Sequence, residues 1–92
     1  MKAYLEELSS GLAEQYKLYL ETFIVDLTCD EAFIELRVAF ALRCDHVLRS
    51  ETFKVEASAA LDDVERRAVV AALFLEIEDH IDGAIAAREV TN

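Results

Sequence analysis

From Ile34 to Asp45 the chain alternates without a break. Ile34, Leu36, Val38, Phe40, Leu42 and Cys44 fall between Glu35, Arg37, Ala39, Ala41, Arg43 and Asp45. A two-residue period sends successive side chains to opposite sides, so the spacing predicts a strand over 34–45 with one buried face. A shorter alternation follows in TFKVEA, residues 52–57, with Phe53 and Val55 inward and Thr52, Lys54 and Glu56 outward. The connecting DHVLRSE leaves room for a hairpin loop of about four or more residues.

Three- and four-residue steps govern the two ends of the chain. Leu5, Leu8, Leu12, Tyr16, Tyr19 and Phe23 form the stripe of an amphipathic helix. Against its full extent, LETFIVDL is rich in β-branched and aromatic residues and runs into the turn-like TCDE. The reading is a helix over 3–18 and a strand over 20–28, with a helix continuing to 24 as the alternative. In the last third, Val70, Phe74, Ile77, Ile81 and Ile85 define a helix reaching about Arg88. Asp62 and Glu65 have capping-box spacing, and Ser58 competes as N-cap. Gly83 inside this helix costs about 1 kcal/mol relative to alanine.

The predicted order is therefore α-β-β-β-α. This is an α+β fold, a three-stranded antiparallel sheet with N- and C-terminal helices packed on one face. Residues 1–92 read as a single acidic domain, compact from about residue 2 to 88, since two glycines and no proline leave no linker.

Charge changes the picture more than size does. Nineteen acidic against nine basic residues give a net −10. Residues 1–31 carry two basic and seven acidic side chains, 32–57 four of each, and 58–92 three and eight. The helices are read as acidic and the sheet as neutral, its mixed charges suited to cross-strand pairing. Such a chain is repelled by nucleic acid and anionic membranes and attracted to basic protein surfaces, so no direct DNA binding is expected. The longest apolar run, AVVAALFL, is far too short to span a bilayer, and no secretory signal opens the chain. Cys29 and Cys44 have no metal or redox spacing; a disulfide could join them, but free thiols of a cytoplasmic protein are the simpler reading.

The densest chemistry lies in LFLEIEDHID, residues 73–82. On a helix, Glu76 and His80 share a face with Asp79 beside them, and Glu78 and Asp82 form a second pair four residues apart. A metal site there would borrow His46 from a loop, or Glu6 and Glu7 from the first helix, to reach three or four ligands. The simpler reading is the solvated back of an apolar stripe, with no cofactor. Cys44 with His46, or Cys29 with either histidine, would have to be joined and oriented to act as a nucleophile. The alternation instead puts Cys44 on the inward strand face, as a small apolar side chain. With only Gly11 and Gly83, no loop cradles phosphate. Catalysis is not expected.

Two function classes remain. The first is an acidic inhibitor of a protein complex that processes nucleic acid. Glu76, Asp79 and Asp82 would be its leading contacts, with Asp62, Asp63 and Glu65 second, pairing with the partner's phosphate-holding Arg and Lys. In size, charge and lack of a catalytic motif the chain is similar to small phage-encoded counter-defence proteins, such as anti-CRISPR and anti-restriction inhibitors, which work in the host cytoplasm. No motif carries that likeness. The second is an adaptor or chaperone-like homodimer, similar in size and charge to small acidic secretion chaperones. It would bind through AVVAALFL, which is apolar on nearly every side of a helix, and through edge strands. A basic strip of Arg37, Arg43 and Lys54 on the outer sheet face reads as locally paired with Glu35, Asp45 and Glu56.

Overall fold

A computed structural model describes residues 1–56 and 61–90. Its elements are α1 (Lys2–Gln15), β1 (Leu20–Cys29), β2 (Phe33–Leu42), β3 (Leu48–Glu56) and α2 (Asp63–Val90). The strands form one antiparallel sheet in the order β1-β2-β3, so the α-β-β-β-α reading holds. The proposed N-cap at Ser58 lies outside the described residues. The other one is present as a reciprocal capping box. The Glu65 N–H donates to Asp62 Oδ1 at 2.8 Å, and the Asp62 N–H donates to Glu65 Oε1 at 3.2 Å.

The alternation of β2 explains where the helices sit. Ile34, Leu36, Val38 and Phe40 are buried on the helix side, flanked in register by Val25, Leu27 and Phe23 of β1 and by Val55 and Phe53 of β3. Against them α2 buries Val70, Leu73, Phe74, Ile77 and Ile81, and α1 adds Leu12 and Tyr16. Each such side chain contributes roughly 1.5–3 kcal/mol by leaving water. Among the described residues no helix covers the opposite sheet face, which carries Thr22, Ile24, Glu35, Arg37, Ala39, Thr52 and Lys54.

The two helices run side by side in the same direction. Arg67 lies over the Tyr4 ring, Gln15 meets Glu78, and Tyr16 meets Asp82. At 1.5 Å per residue, 28 residues of α2 span about 42 Å, which accounts for the long 48 Å axis of the molecule. No helix among the described residues is long and apolar enough to cross a membrane.

Several boundaries differ from the pattern reading. The first helix stops at Gln15 rather than 18 because Tyr16 leaves helical geometry (φ −108°, ψ 20°) and its carbonyl accepts from the N–H groups of Tyr19 and Leu20. Residues 20–24 are strand, and Glu21 is an extra residue where the register slips between Leu20 and Thr22. β2 ends at Leu42, so Cys44 is not an inward strand residue; it is exposed in the turn. Cys29 is also a free, exposed thiol, opposite Ile34 and about 30 Å of strand from Cys44.

β3 starts at Leu48, four residues before its alternation becomes visible. In that lead-in, Arg49 and Glu51 point to the helix side at an open edge. The Arg49 guanidinium lies over the Phe40 ring, and Glu51 reaches His80. Long polar side chains thus finish the core rim with their tips in water. Of the expected local pairs, Arg37 is 3.9 Å from Glu35. Asp45 pairs with Arg49 rather than Arg43, whose Nε donates to the Lys17 carbonyl, and Lys54 lies over Phe33. Nor is all the acidity helical, since Glu21 and Asp26 sit on β1 and Asp30 and Glu31 in the next turn.

Candidate functional site

The buried stripe of α2 fixes what the helix turns to solvent. Each three-residue step drifts by about 60° around the axis, so Glu76, Asp79 and Asp82 wrap the exposed back rather than line up. All three are exposed. Glu76 and Asp79 edge a shallow depression of about 400 Å³ shared with His80 and with Phe53 of β3. Asp82 turns the other way and accepts the hydroxyl hydrogen of Tyr16 on α1. Beside it, Glu78 accepts from Gln15 Nε2 at 3.1 Å. Glu76 and Asp79 have no cation within ion-pair reach among the described residues.

The second set of carboxylates does different work. Asp62 and Glu65 are tied into the capping box, and Asp63 is 3.9 Å from Arg66. Eleven residues, about 16 Å of helix, separate Glu65 from Glu76. Exposed Ala68, Ala72 and Leu75 lie along that stretch. The six predicted contacts therefore form two acidic patches with an apolar saddle between them.

His80 does not face its carboxylate neighbours alone. Its ring stands edge-on to Phe40 and Phe53, with centroids 5.8 and 6.1 Å away, and its Nε2 sits 3.6 Å from Glu51 Oε1. Among the described residues no three His, Cys, Asp or Glu side chains come together as metal ligands. His46, the other histidine, adopts a left-handed backbone (φ 58°), and its Nδ1 donates to Glu21 Oε1 at 2.8 Å. It makes no hydrogen bond to Cys44.

Tyr16, Asp45 and Arg49 are electrostatically distinct, the Arg49 guanidinium being raised chiefly by its hydrogen bond to Asp45. Burial, and then the hydrogen bond to Asp82, push the Tyr16 phenol well above the ordinary tyrosine range. Hydrogen bonds from Arg49 and from the Val47 N–H lower the Asp45 carboxyl from 3.8 to about 2. Asp45 takes both ends of the Arg49 fork, at 3.2 and 2.6 Å, and lies 3.5 Å from Arg88 near the end of α2. The pattern reading gave Tyr16 only a place in the apolar stripe and treated Asp45 as strand surface. Tyr16's partner Asp82 and Asp45's second guanidinium, Arg88, are remote in sequence; Arg49 and Val47 are local to Asp45. No family model, curated protein or solved structure matches this chain.

Proposed function

We propose that this protein is a non-catalytic inhibitor that lays the acidic outer face of α2 on the cationic, nucleic-acid-binding surface of a larger protein complex. Phage counter-defence proteins of the anti-CRISPR and anti-restriction kind act on such targets. One observation carries the reading: Glu76 and Asp79 stand exposed, with no ion-pair partner among the described residues, on a helix whose opposite side is locked in the core. Fixed carboxylates without internal partners attract Arg and Lys at long range and give fast, salt-sensitive association. Asp82, turned toward α1, holds Tyr16 instead.

The test is E76K/D79K, which leaves the Tyr16–Asp82 contact untouched. Tagged wild-type protein passed through nuclease-treated lysate should retain a nucleic-acid-binding complex and release it at moderate salt. The double variant should lose it. Equal retention by both proteins would overturn the acidic-face reading.

A second reading, an apolar adaptor or homodimer, draws on Val64 and Leu75, which are 75% and 64% exposed on the same helix. It predicts a concentration-dependent dimer in sedimentation that salt does not dissolve and L75E does.

A further inference from the structure

A second cavity, larger than the depression beside His80, lies away from the acidic face. It is a half-open cleft of about 530 Å³ between the last turns of α2, the end of β2 and the turn after α1. Leu18, Tyr19, Leu42 and Ile85 supply its apolar surface, and Arg43 and Arg88 its charge. At its rim Leu18 is 80% exposed and Tyr19 is also solvent-facing.

Lys17, Arg43, Arg49 and Arg88, four of the nine basic residues, gather at this end of a chain of net charge −10. Most are already paired: Lys17 with Glu14, and Arg49 and Arg88 with Asp45. Arg43 spends only its Nε, on the Lys17 carbonyl at 3.1 Å. Its two terminal amino groups meet no protein acceptor among the described residues, so a planar donor fork stands beside an apolar floor.

We infer that this cleft docks a segment of a partner protein in which an apolar side chain is followed or preceded by a carboxylate. The side chain fills the space between Leu18, Leu42 and Ile85, and the carboxylate takes the Arg43 fork. A half-open cleft leaves much of a small ligand wet, whereas good small-molecule sites bury most of it. Leu18 and Tyr19, exposed at the rim, leave apolar surface that calls for a macromolecular cover. The guanidinium groups repel a basic segment. This site is independent of the acidic face and uses the opposite charge.

Random peptides on phage, panned against the full chain, test this directly. Enriched sequences should pair Leu, Ile or Phe with an adjacent Asp or Glu. Synthetic copies should shift the amide signals of Leu18, Tyr19, Arg43, Cys44 and Ile85 in isotope-labelled protein. R43E should weaken them by about tenfold or more, the worth of one charged hydrogen bond, with R43K intermediate and the Leu36 and Ile77 signals unmoved. Basic peptides that shift only Glu76 and Asp79 would overturn the inference while favouring the acidic-face reading. Apolar peptides indifferent to R43E, or no peptide at the cleft, would also overturn it. A dimer abolished by R43E would do so as well, giving the cleft to a second copy.

Discussion

Helix α2 is tied to its surroundings in two regions by contrasting chemistry. Along the α1 seam, neutral donors meet carboxylates: Tyr16 to Asp82 and Gln15 to Glu78. At the β2–β3 turn, a single carboxylate, Asp45, gathers a backbone N–H and two guanidinium groups. The seam needs an uncharged phenol and the turn needs a charged carboxylate, so the seam is vulnerable to base and the turn to acid. A polar contact can thus hold the same helix at both flanks and still give each flank its own pH limit.

The deepest way to break the comparison is to hollow the core beneath α2. Ile81 is fully buried beside Asp82. I81A should cost about 2–5 kcal/mol in chemical denaturation, because lost transfer energy and a cavity add. Against a typical domain stability of roughly 5–15 kcal/mol, that is enough to threaten the fold.

D45N isolates the turn. The folded Asp45 carboxyl titrates at about 2, against 3.8 for the free group, so the unfolded chain takes up this proton first. Its contribution is whole above pH 3.8 and is lost as the pH falls through about 2. The stability difference between wild type and D45N should shrink across that window and be level above it. A constant difference would mean that Asp45 acts by shape alone.

Y16F isolates the seam with a smaller effect, about 1 kcal/mol, because the freed Asp82 can turn to water. The sign in alkali is opposite to that of Asp45. The folded phenol is raised, so its contribution is full below the ordinary tyrosine pKa of about 10 and fades as the pH climbs past it. A spectrophotometric titration should show a late tyrosinate component that Y16F removes.

The smallest effect belongs to E76K/D79K. Neither carboxylate belongs to the seam or the turn, and its stability change should stay within about 0.5 kcal/mol by thermal melting. A larger change would show that the acidic back is part of the scaffold.

These contrasts also explain how much of the molecule was legible in its sequence. β2 and α2 announce themselves because each buries one side against a continuous partner, which imposes a strict period on Ile34–Leu42 and Val70–Ile81. The same rule misleads at Cys44, where turn residues happen to prolong the alternation. It goes silent at Leu48–Glu51, where charged side chains face the core side at an open edge. The β2–β3 turn carried a local signal in Asp45, whose side chain accepts the N–H of Val47 at 3.0 Å as turn aspartates do. For the acidic site, residue types and helix placement were readable, but orientation was not. Asp82 is recruited by a tyrosine 66 residues earlier. The cleft was hidden altogether, since its walls come from three separated segments.

The parallel pairing of α1 and α2 bears on the order in which the chain assembles. The sheet consists of hairpins between successive strands, whereas Gln15 and Tyr16 wait for partners 63 and 66 positions away. Closing such long loops costs more entropy than forming a hairpin, so the seam is among the last contacts to be rewarded. The fixed spacing of the carboxylates on the two helices therefore belongs to the finished molecule alone. A binding partner that reads that spacing would recognise complete chains, and any chain with only its hairpins formed would escape it.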